Sequence, residues 1–593
     1  MVRAFANKQS NLLIAPTGAG KTLSGFLPCL IDIHKALKAG KTNKQIGLHT
    51  LYVSPLKALT YDINRNLETP INEMDLGITV AARTGDTTSY QRQKQRKSPP
   101  NVLLTTPESL MLMLSYVDAD KLFANLRCVI VDETHSFANS KRGDFMSLAL
   151  ARLHWLNKDF IRVGLSATVA HPKALAAWLG AHGQATEIIQ AKSRVKPRVK
   201  ILTNKNAIPF GGYMAKYAKK EILQAITKAG TSLVFVNTRA QAELIFQALW
   251  EVNTEVLPIA IYHGSLSKDQ RQKTAEMMAA GKLRAVVATS ALELGIDWGD
   301  VDLVIQVGAP KGVSRLMQRI GRSNHRMDEP SQAFLVPANR FESLECLSAI
   351  NAIKAGQLDG EPPMPGALDI LPQFIMNCVC SQGTTPEEVY AQVLSASPYH
   401  TVDECTFKDL WAFTQDGGYA LQAYERYHRL IEEDGVYKPA NKRVIMRHRQ
   451  NIGTIVEAGR LRVKRIRKAH SGKIIGEIEE YFAQQLSKGD SFYFAGEVLV
   501  FDGIRDMIVE AKPGKGKDPK IPSFVGGEMP LSTYLAEAVR SLINQPEQWT
   551  ALPKLVREWL DLQKDFSALP SNESLLIEQF PFRRGQCTLF YTF

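Results

Sequence analysis

The sequence predicts an α/β protein with two parallel-sheet units in series, followed by a helical module and a β-rich accessory part. Over residues 1–190, short apolar runs alternate with helix-length segments, which is typical of a parallel sheet with crossover helices. A basic, proline-containing stretch at 193–200 interrupts this alternation, which then resumes and predicts a linker between two similar units. After Leu344 the pattern becomes helical, and after Asn451 it becomes β-rich.

The apolar runs of the two units define the strands that we expect. Those of the first unit are LLIAP, TLYVSP, NVLLTTP, CVIVDE and RVGLSAT, and those of the second are SLVFVNTR, VLPIAIYHG, RAVVATS, DLVIQVGAP and QAFLVPA. We therefore expect one α/β lobe over residues 1–194 and a second over 195–344.

The remaining chain predicts two further domains. Over residues 345–440, periodic helices are followed by a glycine-containing turn and a short strand, which suits a winged-helix module. Residues 441–593 predict a basic, β-rich accessory domain, which we expect to be incomplete because the chain ends within a predicted strand. Only about ten residues precede the first strand. We therefore expect the first lobe to be truncated at its N-terminus.

The charge distribution predicts a polyanionic partner. The 593 residues carry a formal net charge of +13, and residues 436–475 alone hold twelve Lys or Arg and one acidic residue. A segment with a net charge of +11 is typical of a nucleic-acid-binding surface, the alternative being a solvated face with no ligand.

Other features exclude membrane and secreted classes. No apolar stretch is long enough to span a bilayer, and the first residues contain no apolar core of a signal peptide. The seven cysteines show no CxxC spacing, so we expect a reducing, cytoplasmic location and no membrane partner.

The octapeptide APTGAGKT at residues 15–22 predicts a phosphate-binding loop, because it follows a strand and begins a helix. The residues with a predicted nucleotide role are Ala15, Thr17, Gly18, Ala19, Gly20, Lys21 and Thr22. The glycines allow backbone N–H groups to point at phosphate oxygens beside a helix N-terminus. Lys21 supplies positive charge to the β- and γ-phosphates, and the Thr22 hydroxyl is a ligand for Mg²⁺.

An acidic pair in VDETH predicts the hydrolytic chemistry. Asp132 and Glu133 follow another predicted strand, at the edge where a nucleotide-binding sheet holds its ligands. Asp132 is expected to contact Mg²⁺, while Glu133 takes a proton from the attacking water. Together with the phosphate loop, this pair predicts hydrolysis of a nucleoside triphosphate.

Eight motifs in order resemble the core of a superfamily 2 DExH-box helicase. They are APTGAGKT, SPLKAL, TTPESL, VDETH, LSAT, VFVNTR, ATSALELGIDW and QRIGRSNHR. The chain is similar to the large helicase-related (Lhr) group and, more narrowly, to bacterial ligase-associated DEXH-box DNA helicases, through RTGDT, MRHRQNIGTI and the segment from residue 476 to 497. The resemblance implies two tandem RecA-like lobes, a winged-helix module and a barrel-like accessory domain.

The resemblance also implies how the second lobe completes an ATP site. Arg322 stands where an arginine finger meets the γ-phosphate, and fixed charge there stabilises the transferred phosphoryl group. DEAD-box relatives carry a second arginine where this chain has His325, followed by Arg326. The other implied nucleotide contacts are Gly295, Asp297, Gln318 and Arg319. The residues implied to couple the state of the ATP site to the binding of the nucleic-acid strand are His135, Ser166 and Thr168.

Single-stranded nucleic acid is implied to cross both lobes, held by groups that contact phosphates without reading bases. The implied contacts are Ser54, Pro55, Lys57, Thr106, Pro107 and Glu108 in the first lobe and Thr238, Arg239 and Thr289 in the second. Phe524 stands where related proteins carry Trp and predicts a base-stacking contact. Trp411 and Trp549 are further stacking candidates, although a lone aromatic is more often part of a core.

These features predict an ATP- and Mg²⁺-dependent translocase on single-stranded DNA that unwinds duplexes. The resemblance implies that it moves in the 3′-to-5′ direction and acts in DNA repair. The resemblance implies a DNA ligase and a nuclease, encoded nearby, as partners. An RNA or RNA:DNA-hybrid helicase remains an alternative, because contacts to the backbone do not fix the sugar. A nucleic-acid-binding scaffold with an impaired ATPase is another, because the segment carrying the adenine-reading Gln is not found before the phosphate loop.

Overall fold

The chain folds as two compact units, each built from two separate stretches of sequence. The first contains Met1–Ser193 and Glu361–Ile455, and the second contains Arg194–Gly360 and Val456–Phe593. The computed structural model describes residues 1–16, 19–191, 195–202, 208–212, 214–293, 301–323, 330–454, 459–468, 471–514, 518–524, 531–583 and 585–591.

The first lobe contains a seven-stranded sheet in the order β3-β4-β2-β5-β6-β1-β7, in which all neighbouring strands are parallel. The strands are β1 (Asn11–Ile14), β2 (Thr50–Val53), β3 (Val80–Arg83), β4 (Val102–Thr105), β5 (Cys128–Val131), β6 (Ile161–Ser166) and β7 (Glu187–Gln190). The helices are α1 (Val2–Ala6), α2 (Lys21–Lys38), α3 (Asn43–Ile46), α4 (Lys57–Glu73), α5 (Ser89–Lys97), α6 (Pro107–Leu114), α7 (Ala119–Phe123), α8 (Lys141–Leu156) and α9 (Pro172–Leu179). Strands β1, β2, β4, β5 and β6 are buried at every position, as expected for a sheet covered on both faces.

The second lobe contains a six-stranded parallel sheet in the order β10-β11-β9-β12-β13-β8. The strands are β8 (Arg198–Ile201), β9 (Ser232–Val236), β10 (Ile259–Tyr262), β11 (Ala285–Ala288), β12 (Leu303–Val307) and β13 (Gln332–Val336). The helices are α10 (Lys219–Lys228), α11 (Arg239–Val252), α12 (Lys268–Ala279), α13 (Val313–Ile320) and α14 (Arg340–Ala355). The prediction of a linker through residue 200 is wrong in part, because Val199 and Ile201 pack against the lobe core and β8 pairs with β13.

The helical module belongs to the same compact unit as the first lobe. It contains α15 (Leu371–Gln382), α16 (Pro386–Ser395), α17 (Glu404–Asp416), the antiparallel strands β14 (Leu430–Glu433) and β15 (Val436–Pro439), and α18 (Lys442–Gln450). Buried side chains of α15, including Phe374 and Ile375, share one apolar core with α6 and α8. Helix α14 continues through the boundary predicted between residues 344 and 345 and lies in the second unit.

The accessory part follows in the second unit. A five-stranded mixed sheet has the order β17-β16-β20-β19-β18, with β16 and β20 parallel and the other neighbours antiparallel. Its elements are β16 (Arg460–Lys468), β17 (Ser471–Glu479), α19 (Glu480–Gln484), β18 (Ser491–Phe494), β19 (Glu497–Arg505) and β20 (Ile508–Pro513), followed by α20 (Thr533–Ile543), α21 (Lys554–Phe566) and the hairpin β21 (Leu576–Phe582) and β22 (Gly585–Tyr591). The predicted fold class is confirmed: two parallel-sheet lobes, a winged-helix module and a β-rich accessory domain.

Within the described part of the chain, no helix combines the length and the apolar character needed to cross a membrane.

Candidate nucleotide and nucleic-acid site

The functional motifs of the first lobe lie at one edge of its sheet. The phosphate loop follows β1, Ser54 follows β2, Thr106 follows β4, Asp132 follows β5, and Ser166 ends β6. Because all of these strands are parallel, their carboxyl ends meet at the same edge, where α/β sheets bind ligands. Strand order places β5, β6 and β1 side by side, so the acidic pair and the phosphate loop flank Ser166.

The phosphate loop leaves room for a phosphate at Gly20. This residue precedes the 18-residue helix α2 with φ 70°, a left-handed conformation that glycine adopts without strain, and a Cβ there would meet no atom within 4 Å. The Lys21 ammonium donates to the carbonyls of Ala15 at 2.9 Å and Pro16 at 3.0 Å. Thr22 is partly buried in the first turn, while the predicted contacts Thr17 and Gly18 lie outside the described residues.

Asp132 is buried in a site that orients its carboxylate. The Tyr52 hydroxyl donates to Oδ2 at 2.5 Å, and the backbone N–H of Glu133 donates to Oδ1 at 2.8 Å. Burial and the neighbouring Glu133 carboxylate raise the pKa of Asp132 to about 6, while the Lys21 charge acts in the opposite direction. Tyr52 was not anticipated from the sequence, because it lies 80 residues before Asp132 and belongs to no recognised motif.

His135 connects the acidic pair to the end of β6. Its Nδ1 accepts from the backbone N–H of Ala167 at 3.3 Å and lies 3.1 Å from the Ser166 hydroxyl, which assigns the ring proton to Nε2. That Nε2 lies 3.5 Å from Oε2 of Glu133. Burial, helped by the Lys21 charge, lowers the pKa of His135 to about 4, so the ring is neutral at physiological pH. The structure therefore brings together Glu133, His135 and Ser166, whereas Thr168 is exposed.

The predicted strand contacts of the first lobe differ in exposure. Ser54 and Thr106 are buried at the ends of their strands, and Pro107 is buried in the first turn of α6. The Ser54 hydroxyl donates to the carbonyl of Leu56 at 3.2 Å, which shapes the turn into α4. Lys57 is exposed and pairs with Asp86 at 2.9 Å. Of this set, Lys57 has the accessible charge that suits a phosphate.

Glu108, one of the implied strand contacts, is paired with an arginine of the same lobe. Its carboxylate accepts two hydrogen bonds from Arg142, at 2.6 Å from Nε and 2.9 Å from Nη2, and the third Arg142 nitrogen donates to the carbonyl of Pro55. Although burial opposes it, the Arg142 charge holds the pKa of Glu108 below its ordinary value. Glu108 and Arg142 thus join the loop after β2 to the start of α6. No sequence signal marked Arg142, which lies 34 residues from its partner.

Helix α13 carries the implied nucleotide contacts of the second lobe, and they differ in burial. Arg322 is 5% exposed just after the helix, and Gln318 is partly buried. Arg319 is fully buried: its Nε donates to Glu293 at 2.7 Å, its other nitrogens reach Gln306 and Asn237, and its guanidinium stacks on an aromatic ring of β9. These contacts occupy the donors of Arg319, which disagrees with a direct contact to nucleotide and indicates a structural role.

Of the other residues implied for the second lobe, the structure describes Thr289. Thr289 is buried at the end of β11. Gly295 and Asp297 lie outside the described residues, as do His325 and Arg326.

Arg239 and Phe524 form a stacked pair in the second unit. The guanidinium carbon of Arg239 lies 5.5 Å from the centroid of the Phe524 ring, and Arg239 Nη1 donates to the Ser265 hydroxyl at 3.1 Å. Thr238 precedes them as the N-cap of α11 and is exposed. The guanidinium covers one face of a partly buried ring, so the pair places a positive charge beside an aromatic group.

The other two aromatic candidates are core residues. Trp411 is 5% exposed and packs edge-on against Tyr437, and Trp549 is 1% exposed with its indole N–H bonded to the carbonyl of Leu542. Both rings are therefore part of the core, which is the more common place for a lone aromatic side chain.

Comparison with known proteins matches each part of this arrangement. Residues 1–175 match the DEAD/DEAH box helicase family, residues 216–327 the helicase conserved C-terminal domain, and residues 351–521 the winged helix domain of large helicase-related protein.

Two relatives and one solved structure match this chain over nearly its whole length. The chain is 32% identical over 608 residues to the ATP-dependent helicase Lhr-Core of Methanocaldococcus jannaschii, covering 98% of this chain and 70% of that protein. It is 32% identical over 624 residues to the ATP-dependent helicase Lhr-Core protein 2 of Thermococcus barophilus, covering 99% and 72%. The structure of the Mycobacterium smegmatis helicase Lhr bound to ssDNA and AMP-PNP superposes with a TM-score of 0.75 at 28% identity, covering 100% of this chain and 75% of that one. The chain therefore belongs to the large helicase-related (Lhr) family of ATP-dependent helicases.

Proposed function

We propose that this protein is an ATP-dependent 3′-to-5′ translocase on single-stranded DNA that unwinds duplexes and acts in DNA repair. The observation that carries the proposal is the grouping of Lys21, Asp132, Glu133 and His135 at one sheet edge, beside a glycine loop with open space for phosphate. Such a grouping suits the hydrolysis of a triphosphate.

In this proposal each residue has one chemical role. Lys21 leaves its two carbonyl partners and neutralises the β- and γ-phosphate oxygens. Glu133 accepts the proton of the attacking water, and the neutral His135 ring, donating from Nε2, keeps the Glu133 carboxylate in place. Arg322 of the second lobe stabilises the charge that develops on the transferred phosphoryl group.

The side chains of Asp132 and Thr22 fit Mg²⁺. A carboxylate and a hydroxyl are hard oxygen donors, and each Asp132 oxygen has a lone pair beyond the hydrogen bond that orients it. When bound with ATP, Mg²⁺ held by Asp132 and Thr22 would neutralise the charge of the phosphates.

Three observations support single-stranded DNA as the nucleic acid along which this protein moves: a cation–aromatic pair, a basic segment and a relative that binds ssDNA. The Arg239–Phe524 pair places a positive charge beside an aromatic ring, and the basic segment 436–475, which begins in the first unit and ends in the second, supplies further cations. The Mycobacterium smegmatis helicase Lhr binds ssDNA together with AMP-PNP.

Glu133→Gln tests the hydrolytic assignment. The variant should bind a fluorescent ATP analogue as the unsubstituted protein does, yet lose strand-stimulated hydrolysis, because the amide cannot accept the proton. Glu187→Gln, an exposed position on β7 of the same sheet, is the matched control and should retain full turnover. Unchanged turnover in Glu133→Gln would reject the assignment, and absence of turnover in the unsubstituted protein would favour the scaffold alternative.

Oligonucleotides separate the remaining alternatives. Single-stranded DNA should stimulate hydrolysis more than RNA of the same sequence, and a stronger RNA response would favour an RNA helicase. Unwinding should require a 3′ tail on the loaded strand, so unwinding that requires a 5′ tail would overturn the polarity.

The salt dependence of DNA binding tests the basic segment. Neutralising four of its Lys or Arg should lower the log–log slope by about 0.7 for each phosphate of the strand that is no longer neutralised. An unchanged slope would indicate that the segment is a solvated face that binds no phosphate.

The resemblance to ligase-associated helicases supports a DNA ligase and a nuclease as partners. Purified ligase and nuclease from the same organism should co-elute with this protein, and separate elution at micromolar concentration would count against the partnership.

A further inference from the structure

Glu243 is a buried carboxylate that holds a turn of the accessory sheet against the second lobe. It lies on α11 and is fully buried. Its Oε1 accepts from the backbone N–H of Ala495 at 2.6 Å, and its Oε2 accepts from the backbone N–H of Gly496 at 2.9 Å. These two residues form the tight turn between β18 and β19, with φ values of 55° and 77°. Such a turn points neighbouring N–H groups to one side, which suits a carboxylate.

His263 supplies a third donor to this carboxylate. Its Nδ1 accepts from the backbone N–H of Ser265 at 3.3 Å, which assigns the ring proton to Nε2. That Nε2 donates to Oε1 of Glu243 at 3.1 Å. Both side chains are fully buried, so the three hydrogen bonds of the carboxylate are protected from competing water.

The same network contacts both members of the Arg239–Phe524 pair. The Ser265 hydroxyl accepts from Arg239 Nη1 at 3.1 Å, and the His263 ring lies beside Phe524 with the ring centroids 6.3 Å apart. Arg239 also precedes Glu243 by four positions on α11, so the two side chains project from the same face of the helix. Glu243 is thus joined to the pair through two side chains of the loop that follows β10.

That loop also pairs with the accessory sheet through its backbone. The Ser265 carbonyl accepts from the backbone N–H of Glu477 at 2.9 Å, and the Ser267 backbone N–H donates to the carbonyl of Ile475 at 3.0 Å. Strand β17 therefore fixes one side of the loop, while Glu243 fixes the turn between β18 and β19. The accessory sheet meets the second lobe at both places.

The two members of the pair come from different parts of the second unit. Arg239 begins α11 of the lobe, whereas Phe524 packs against the core of the accessory sheet. Arg239 Nη1 lies 3.9 Å from the Glu479 carboxylate and donates to Ser265. Among the described residues Ser265 is its one hydrogen-bond acceptor, so Nε and Nη2 keep donors for a phosphate. The direction of these donors depends on how the accessory sheet lies on the lobe.

We propose that Glu243 and His263 are positioning residues for the Arg239–Phe524 pair, so that binding of a DNA strand depends on a carboxylate that the strand does not touch. The proposal rests on the function proposed above, since it needs a strand at Arg239. The Glu243 carboxylate fixes the turn between β18 and β19 and also the His263 ring. The ring places the Ser265 backbone, whose side chain orients the guanidinium, and it lies beside Phe524.

Three substitutions test the carboxylate and the turn that it holds. Glu243→Gln keeps the shape of the side chain but places an amide NH2 against one of the three donors. Glu342→Gln is the matched control, because the Glu342 carboxylate also accepts from two backbone N–H groups of the second lobe, each at 2.8 Å. Gly496→Ala disturbs the same turn without changing Glu243, since its Cβ would lie 2.6 Å from Cε1 of Phe246 on α11.

Fluorescence anisotropy with a single-stranded DNA oligonucleotide, recorded at several salt concentrations, measures the contact. In Glu243→Gln the Kd should rise by about 2- to 30-fold, the range found for residues that act through a network. The log–log slope with salt should become shallower by about 0.7, because one phosphate is no longer neutralised. Gly496→Ala should show both changes, and Glu342→Gln should match the unsubstituted protein in both. A normal Kd and slope in Glu243→Gln or in Gly496→Ala would overturn the proposal.

A double substitution distinguishes positioning from a purely structural role. Arg239→Gln removes the phosphate contact directly, so in that background Glu243→Gln should weaken binding little further. Independent multiplication of the two losses would overturn the positioning role. If Arg239→Gln by itself leaves the slope unchanged, the strand contact in the proposed function is absent and the positioning role falls with it. Normal binding in Glu243→Gln beside a changed slope in Arg239→Gln overturns the positioning role alone.

Discussion

Arg142 offers a sharp test of how the first lobe holds the loop after β2 against α6. Its guanidinium joins the Glu108 carboxylate on α6 to the Pro55 carbonyl in the loop after β2. Arg142→Met removes all three hydrogen bonds while keeping an unbranched apolar side chain of similar reach. The loop and the N-terminal turn of α6 then no longer share a partner.

The size of the effect follows from the geometry and exposure of the pair. Hydrogen bonds to charged groups contribute about 1.5–3 kcal/mol when protected from water. Arg142 and Glu108 are 22% and 24% exposed, between a surface pair and a fully buried one. We therefore expect a loss of about 2 kcal/mol in the local free energy of opening, which corresponds to about 30-fold faster amide exchange.

Hydrogen exchange read by mass spectrometry measures this loss where it occurs. Peptides containing residues 56–60 and 107–114 should exchange faster in Arg142→Met, while peptides of the accessory sheet stay unchanged. Arg96→Met is the matched control, because Arg96 also binds a carboxylate with two nitrogens but is 42% exposed. It should change exchange by less than about fivefold. Equal exchange in the two variants would refute the bridging role of Arg142.

Three further predictions concern Tyr52, Arg319 and two histidines. Tyr52→Phe should weaken the apparent Mg²⁺ affinity by about 10- to 100-fold in a titration of ATPase activity, because Asp132 loses the donor that orients it. An unchanged Mg²⁺ titration would show that Tyr52 does not orient Asp132 for the metal. Arg319→Met should lower the free energy of unfolding of the second lobe by about 3 kcal/mol, because the buried Glu293 carboxylate loses its hydrogen-bonded partner and keeps Arg315 at 3.8 Å. A raised KM for ATP with normal stability would instead indicate that Arg319 contacts the nucleotide. Burial lowers the pKa of both His448 and His135 to about 4. Between pH 6.5 and pH 4 the unfolded chain therefore binds protons that the folded chain does not. The free energy of unfolding then falls by about 1.4 kcal/mol per pH unit for each ring as the pH is lowered. The pKa of Asp132, raised to about 6, acts in the opposite sense below pH 6 and offsets one ring. His448→Gln should therefore remove most of the remaining loss in urea unfolding between pH 6 and 4, and an unchanged pH dependence would contradict this account.

The sequence predicts the location of the ATP motifs because their geometry is local. Lys21 follows β1 and Asp132 follows β5, and parallel strands bring these ends to one edge wherever the intervening helices lie. The apolar runs also predict the buried central strands, but not the partly exposed edge strands β3, β7 and β8.

The supporting residues are less predictable because their partners are distant in sequence. Tyr52 reaches Asp132 from 80 residues away, and Glu243 reaches the backbone of Ala495 from 252 residues away. Nothing in a single sequence distinguishes such a tyrosine or glutamate from its neighbours. Likewise, the spacing of Trp411 and Trp549 fits an inward-facing helix position as well as an exposed stacking surface, and packing decided between them.

The alternation of the two units along the chain has a consequence for synthesis. The apolar faces of α6 and α8 are covered by helices that begin only at Leu371. The ribosome must therefore synthesise the entire second lobe before the first lobe can bury these apolar faces. During that interval these faces are available to chaperones or to other nascent chains. A helicase core cut at residue 360 should be insoluble, even though every ATP motif is present in it.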